Sequence, residues 1–353
     1  MKQGDIENFK GMSHETFSYD SIEGDKPSWT NSMFSGMPTI QITGTGNTTV
    51  PKIIWLILRF FMSPEVMTLF MAMLAGYVLA LCLKAPPWVA FIIGATYGLS
   101  TINSLYLAAG HATKVRAIAV MPGVLGGLIS AFRGQRAAGG VGIFTLFLAI
   151  HLYANHLQMT YYLIFLIVAV GVSELVWSVI KGQTKYAVMT SLFLIIGAFC
   201  AALPQSADLY ITQEYSHYTT RGEAILSNPS STNAMLVDDG LSKDYILEYS
   251  MARGEWLSVL VPNIKGGSDP LYWGEQRFSG GAFYFGAIAF ALFLAFIFVG
   301  KDRIRWPLLF ITVLSIILSW RDTSFISDFF INHFPLFNKF RDTKMMLVIV
   351  QVA

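Results

Sequence analysis

Long apolar runs constrain the fold of this chain more than any other feature of its sequence. A helix needs about 20 mostly apolar residues to cross a bilayer. Runs that meet this need predict eight spans, at residues 64–84, 87–109, 113–132, 139–157, 160–180, 185–204, 281–300 and 305–320. A ninth run begins near Met345. Residues 51–62 are shorter and carry Lys52 and Arg59, which favours an interfacial helix leading into the first span.

The composition points to the same class of protein. Apolar residues make up 54% of the chain and charged residues only 13%, whereas soluble domains carry about 25% charged residues. This excludes a water-soluble enzyme and a disordered chain. The net charge of +2 and the lack of a basic stripe argue against nucleic-acid binding. We therefore predict an all-α integral membrane protein, built as a polytopic helix bundle with extracytoplasmic loops.

Basic residues in the short loops predict how the spans are oriented, because Lys and Arg are retained on the cytoplasmic side. Every second loop is basic, with Lys84, Arg133, Arg136, Lys181, Lys185, Lys301, Arg303 and Arg305. The short loops between them carry only Lys114 and Arg116. The first set is therefore predicted to be cytoplasmic, which places the longer segments 1–50, 205–280 and 321–344 outside.

This orientation divides the chain into four parts. They are a first extracytoplasmic loop (1–50), a transmembrane bundle with the interfacial helix and six spans (51–204), a second large extracytoplasmic loop (205–280) and further spans (281–353). The first loop has six Asp or Glu against three Lys, and no signal precedes it. The sequence also ends inside an apolar run. We therefore expect a fragment, since a complete chain of opposite topology would put eight basic residues outside.

Ionisable residues near a bilayer are costly and are therefore functional candidates. Asp5 and Glu7 suit a general base and its orienting group, or a divalent cation, although solvated loop carboxylates would look the same. His111 and Lys114 lie three residues apart at the start of a span. Together with Arg116 they predict a phosphate site at a helix N-terminus. Snorkelling of these side chains to lipid headgroups is the alternative.

Two further external segments supply hydrogen-bonding and aromatic groups. An aromatic belt at the membrane interface explains Tyr161 well, but it explains His156 and Gln158 poorly, so we predict that these residues contact substrate. Trp273 suits stacking on a sugar ring, and Gln276 suits bonding to hydroxyl groups. An interfacial anchor is the alternative for Trp273.

Three other features carry narrower expectations. Arg341 suits a bidentate phosphate clamp, with headgroup snorkelling again the alternative. Glu174, inside a span, is expected to form a structural pair with Lys181, seven residues further on. The pair Gly280-Gly281 permits close backbone approach. The predicted cytoplasmic loops contain neither a Walker A loop nor GxGxxG, so nucleotide-driven chemistry there has no support.

The order of these segments resembles the YfhO-type bacterial membrane proteins, which are similar to the GT-C superfamily of polytopic glycosyltransferases. The resembling stretches are QGDIENFKGMS, WTNSMFSGMP, GHATKVRAIAVMP, ANHLQMTYY, YWGEQRFSGG and FPLFNKFRDTKM. The resemblance implies a GT-C fold in the bacterial inner membrane. It also implies transfer of a sugar from a polyprenyl-phosphate carrier to a glycan, lipid or polymer acceptor on the extracytoplasmic side.

The resemblance implies roles for individual residues as well. The catalytic carboxylate of such enzymes follows the first helix, and Asp5 matches it, with Glu7 as a second acid. Binding of the lipid phosphate would fall to His111, Lys114 and Arg341. The apparent truncation departs from the family pattern and leaves the acceptor-binding regions in doubt. Whether a divalent cation is needed stays open.

The apolar polyprenyl tail is expected to lie between spans, in a groove opened by Gly123, Gly126 and Gly127 beside Pro122. Two other classes of function remain open. One is a transporter or flippase for a lipid-linked or anionic solute, although neither inverted repeats nor broken midplane helices are seen. The other is a membrane scaffold whose acidic segment 205–280 binds a partner.

Overall fold

The computed structural model describes residues 4–44, 49–134, 137–222, 236–237, 240–267, 270–276, 283–322 and 324–353. Most of these residues are helical. The first eight helices are α1 (Gly4–Glu23), α2 (Ile40–Thr43), α3 (Val50–Phe61), α4 (Pro64–Cys82), α5 (Pro87–Gly98), α6 (Thr101–Ala109), α7 (Ala112–Arg133) and α8 (Ala137–Tyr153). The next eight are α9 (Leu157–Ile180), α10 (Thr184–Ala202), α11 (Ser206–Ser216), α12 (Lys243–Leu247), α13 (Ala287–Val299), α14 (Arg305–Leu318), α15 (Phe325–His333) and α16 (Leu347–Val352).

Short elements complete the described part of the chain. Two antiparallel strand pairs join β1 (Trp29–Thr30) to β2 (Met37–Pro38) and β3 (Leu236–Val237) to β4 (Gly240–Leu241). The 3-10 turns are Leu203–Gln205, Arg253–Val259, Phe337–Lys339 and Thr343–Met346. The architecture is thus almost entirely helical, as the apolar runs predict.

Five helical segments of the described residues are long and apolar enough to cross a membrane. They are Pro64–Cys82, Pro87–Ala109, Ala112–Arg133, Leu157–Ile180 and Thr184–Ser216. The other predicted spans contain shorter apolar helices, at Ala137–Tyr153, Ala287–Val299, Arg305–Leu318 and Thr343–Val352. The structure therefore has the helices of a membrane protein, although fewer of them reach spanning length than the apolar runs predict.

Helix α7 forms the centre of the bundle. In its most apolar stretch 89% of the residues are buried, against 28–44% in the other four segments. It packs against α4, α8 and α9. The outer helices instead expose large apolar side chains, such as Ile195, Ile196 and Phe199 on α10. A helix that is apolar all round is expected at such a centre, and the exposed apolar surface suits contact with lipid.

The glycines of α7 bring neighbouring helices together and do not open a groove. A Cβ added at Gly127 would lie 2.6 Å from Cα of Phe144 on α8, and one at Gly123 would overlap the ring of Phe147. Gly126 meets α4 in the same way. Small residues let helix backbones approach closely, and here that space is filled. The expectation of a tail groove at these glycines is therefore wrong.

Residues 4–23 form the helix α1, inside the segment 1–50 that the sequence predicts to be an extracytoplasmic loop. Asp5 and Glu7 lie in its first turn, where carboxylates interact favourably with the helix dipole. The helix is followed by Gly24 at φ +73°, a left-handed conformation that glycine adopts readily. Glu15 accepts hydrogen bonds from the Thr30 hydroxyl and from the Ser32 backbone, at 3.2 Å for the latter. These bonds tie α1 to the β1–β2 hairpin.

The expected pairing of Glu174 with Lys181 is wrong. Glu174 is 1% exposed and accepts hydrogen bonds from Nε of Arg133 at 2.8 Å and from Nε of Arg303 at 3.1 Å. Arg133 also binds Asp302 at 2.6 Å. The planar guanidinium group donates two bonds to one carboxylate, which a lysine does not do. This cluster joins the end of α7 and the body of α9 to the segment before α14.

Candidate functional site

A cavity of about 800 Å³ lies where the first turn of α1 meets the beginning of α7. Six of the predicted site residues line it, namely Asp5, Glu7, His111, Lys114, Arg116 and His156. Its other charged lining residues are Lys10, Arg59 and Glu65, and its larger apolar ones are Ile6, Phe9, Pro64 and Leu107. The fold thus brings four separate parts of the sequence to one cavity, namely residues 5–10, 59–68, 107–116 and His156.

The centre of the cavity is a carboxylate–imidazole pair. Oδ2 of Asp5 lies 2.7 Å from Nδ1 of His111. His111 is the N-cap residue of α7 and follows Gly110, whose left-handed conformation at φ +88° ends α6 and turns the chain. A neutral imidazole that donates its Nδ1–H to Asp5 carries a free lone pair on Nε2. The pair is therefore arranged for general acid–base chemistry.

Both histidines of the cavity are held neutral. Burial lowers the pKa of His111, and the positive charges of Lys114 and Lys344 act in the same direction against the opposing charge of Asp5. Burial also lowers the pKa of His156, which lies in the turn between α8 and α9, and Lys114 contributes again. Since an ordinary histidine is already mostly neutral at pH 7, the positive charge of the cavity comes from its lysine and arginine side chains.

The basic side chains of the first turns of α7 are buried against aromatic rings. Nζ of Lys114 lies 4.5 Å from the centre of the Tyr106 ring, and the guanidinium carbon of Arg116 lies 5.5 Å from that of Trp55. Such cation–π contacts contribute about 0.5–2 kcal/mol each. Nε of Arg116 is buried and has no hydrogen-bond partner within the described residues. A buried donor without a partner is rare in folded proteins, which marks Arg116 as a functional candidate.

Glu7 lines the cavity but does not pair with Asp5. Its carboxylate is 62% exposed and lies 2.9 Å from Nζ of Lys10, one helical turn further along α1. Residues two apart on a helix do not face each other. The two predicted carboxylates therefore act separately, one with an imidazole and one with a lysine.

A buried charged cluster behind the cavity contains a residue that the sequence analysis missed. Asp342 takes a left-handed conformation at φ +62°, and its Oδ1 lies 3.6 Å from Nζ of Lys344. Burial raises the pKa of Asp342, and the charges of Lys344 and Lys114 oppose that shift. The available signal was the run RDTK directly before an apolar segment. In that run the sequence pattern points only to Arg341 as a site residue.

Three predicted residues lie beside the cavity and fix the segment 334–344 in place. The guanidinium of Arg341 donates to the hydroxyl of Tyr245 at 2.7 Å. Gln158 donates to the backbone carbonyl of Arg341 at 2.6 Å. Tyr161 donates to the carbonyl of Pro335 at 2.7 Å and packs among phenylalanine rings.

Trp273 and Gln276 form part of a different cluster. Trp273 is exposed, and Nζ of Lys265 lies 4.3 Å above its ring. Tyr272 donates to Glu255 and accepts the backbone N–H of Gln276 at 2.9 Å. Neither predicted residue lines the Asp5 cavity. The structure therefore does not join them to the other candidates.

The candidate site also bears on whether the protein binds a metal ion. In the part of the chain that the structure describes, no group of three or more His, Cys, Asp or Glu side chains is placed to hold a metal ion. Among these residues, a divalent cation therefore has no preformed site. The pair Gly280-Gly281 lies outside the described residues.

Comparisons with known proteins give no match: no family model fits the chain, and neither a curated protein nor a solved structure resembles it. The resemblance to YfhO-type and GT-C proteins therefore stays a prediction.

Proposed function

We propose that this protein is a GT-C-type membrane glycosyltransferase that moves a sugar from a polyprenyl-phosphate carrier to an acceptor hydroxyl. The observation that supports the proposal most directly is the Asp5–His111 pair in a cavity that also holds Lys114 and Arg116. It combines a proton acceptor with fixed cations, which are the two requirements of this reaction.

These residues can carry each part of the proposed transfer. The acceptor oxygen attacks the anomeric carbon of the sugar, and the bond from that carbon to the phosphate oxygen breaks. The proton of the acceptor hydroxyl passes to Nε2 of His111, while Asp5 stabilises the resulting imidazolium. The lipid phosphate leaves with the bonding electron pair, and Lys114 and Arg116 stabilise its charge.

The surroundings of the cavity suit a donor with an apolar tail. Apolar side chains share the cavity lining with the charged ones. Phe60, Phe61 and Val66, at the end of α3 and the start of α4, are exposed close to the lining residues Pro64 and Glu65. A polyprenyl chain lying along this apolar surface would hold its phosphate at the cavity. The α7 glycines expected to make such room are instead closed by packing.

The test measures release of lipid phosphate from radiolabelled polyprenyl-phosphate sugars by the protein purified in lipid. We expect Asp5→Asn to lower the rate at least about 100-fold, since general acid–base catalysis contributes about 10²–10⁴-fold. An asparagine cannot hold the imidazole as a carboxylate does. Glu23→Gln, an exposed change at the far end of α1, is the matched control and should retain the wild-type rate. Wild-type release by Asp5→Asn would contradict the assignment.

A transporter or flippase for a lipid-linked or anionic solute is the second candidate. A break between α5 and α6, inside the predicted span 87–109, favours it, because transporters bind their solutes at discontinuous helices. Solute flux in proteoliposomes without any covalent product would support this alternative. Asp5-dependent release of lipid phosphate would exclude it as the whole activity.

A further inference from the structure

A second cavity, of about 670 Å³, lies at the other end of α7. Its charged lining residues are Arg133, Lys181, Lys185 and Arg303, and the indole of Trp177 forms part of its wall. The 22 residues of α7 extend over about 33 Å at 1.5 Å per residue. This cavity is therefore distinct from the Asp5 cavity, and nothing in the proposed function uses it.

Buried charges fix two of its walls. Glu174 neutralises part of the charge of both arginines, and Asp302 binds Arg133 through both terminal nitrogens. The hydroxyl of Tyr186 donates to the carbonyl of Ala131 at 2.8 Å, which anchors the start of α10 to the end of α7. The cavity is thus formed by helices that ion pairs and hydrogen bonds hold in place.

The lining keeps an excess of positive charge after this pairing. Four lysine or arginine side chains face the cavity, and two carboxylates offset them. Among the described residues, no carboxylate lies within 4.0 Å of the exposed ammonium groups of Lys181 and Lys185. Nζ of Lys181 lies 5.1 Å from the centre of the Trp177 ring, so both ammonium groups can still bind an anionic ligand.

Two neighbouring features favour an anion in particular. Helix α10 begins at the cavity, and its N-cap residue Gln183 gives no side-chain hydrogen bond to the first turn. Uncapped N–H groups at a helix N-terminus attract phosphate groups. Apolar side chains next to the cavity, Val176, Ile180 and Val188, are exposed on spanning-length helices. Basic pockets between such helices bind phosphate headgroups of lipids.

We propose that this cavity binds the phosphate of an anionic ligand, either a phospholipid headgroup or a soluble phosphate. Lys181 and Lys185 bind the phosphate oxygens, and the first turn of α10 adds backbone donors. Tyr186 anchors that turn to α7, and Arg133 and Arg303, held by Glu174, add positive charge to the cavity wall. The proposal is independent of any glycosyl transfer at the Asp5 cavity.

The test measures binding of short-chain phosphatidylglycerol to the full chain purified in detergent, by native mass spectrometry. We expect the double variant Lys181→Ala/Lys185→Ala to weaken binding about 30-fold. Each basic side chain contributes about 1 kcal/mol to binding of an anionic lipid, and two such contributions convert to that factor. The matched control replaces Lys84 and Lys301, exposed lysines outside the cavity, and should bind as the wild type does. All four side chains are exposed, so both double variants should fold, which their unfolding midpoints check.

Two further arms identify the source of the phosphate. If excess inorganic phosphate displaces phosphatidylglycerol from the wild type, the cavity is a soluble-phosphate site. If it does not displace the lipid, the cavity is a headgroup site. Phosphatidylcholine, whose phosphate is balanced by choline, should bind the wild type and the Lys181/Lys185 variant equally. Equal phosphatidylglycerol binding by the two double variants would overturn the proposal.

Discussion

At the scale of single residues, the state of one imidazole sets the expected pH dependence of the site. Burial and the charge of Lys114 lower the pKa of His111, so its base form persists to more acid pH than in an ordinary histidine. Release of lipid phosphate should therefore be constant near neutral pH and fall only below pH 6.5. The measurement is the pH profile of the release rate.

Lys114→Met supplies the matched comparison. Removing this positive charge raises the pKa of His111, so the acid limb of the profile should move towards neutral pH. The maximal rate should fall as well, because Lys114 also stabilises the phosphate. If the acid side of the pH–rate profile is unchanged in the Lys114 variant, a group other than His111 determines it.

Other residues show how far single positions could be predicted. His111, Lys114 and Arg116 were predictable together because one helix start places them, and that start is marked by Gly110. The contact that Arg341 makes was not predictable, because the Tyr245 hydroxyl that it binds comes from a distant segment. The burial of a carboxylate such as Asp342 likewise follows from tertiary packing, which no local pattern records.

At the scale of elements, hydropathy predicted the central helices and missed α1. The length of an apolar run shows directly how many residues tend to be buried. The predicted span 113–132 therefore matches α7 to within one residue at each end. Helix α1 buries only Ser13 and Thr16 and has no apolar face that periodicity could detect. It is held through Glu15 and its contacts with the β1–β2 hairpin.

The packing of α7 against α8 predicts a contrast between two glycines. Gly127→Ala should destabilise the protein by about 1–3 kcal/mol, because the new Cβ would lie 2.6 Å from Cα of Phe144 and the helices would have to separate. Gly142→Ala on α8 adds a Cβ with nothing within 4 Å. That control should be neutral or slightly stabilising, since alanine favours helices.

Thermal unfolding in detergent measures both glycine variants. A midpoint for Gly127→Ala at or above that of Gly142→Ala would show that α7 and α8 do not approach each other as closely as the structure has them.

At the scale of the whole molecule, α7 connects two charged regions of different kinds. One end holds the Asp5–His111 pair, and the other holds Glu174 between two arginines. Sequence spacing favoured a partner for Glu174 on its own helix. The folded chain instead supplies Arg133 and Arg303 from elsewhere, because helix ends that are distant in sequence meet in the bundle.

These two regions should lie on opposite faces of a membrane, with the Glu174 end on the cytoplasmic side. Glu23 lies at the end of α1 and Lys301 lies between α13 and α14, and both are exposed. Glu23→Cys and Lys301→Cys, each made after Cys82 and Cys200 are replaced by serine, place one reactive thiol at each end. An impermeant maleimide added to intact cells should label position 23 and should label position 301 only after lysis.

Labelling after solubilisation in detergent is the control, since both thiols should then react. The reverse pattern in intact cells would show that the protein has the opposite orientation in the membrane. It would put the Asp5 cavity on the cytoplasmic face, where a glycosyltransferase of the proposed kind does not act. Because α7 rigidly links the two ends, one pair of variants thus decides the side on which both cavities must find their ligands.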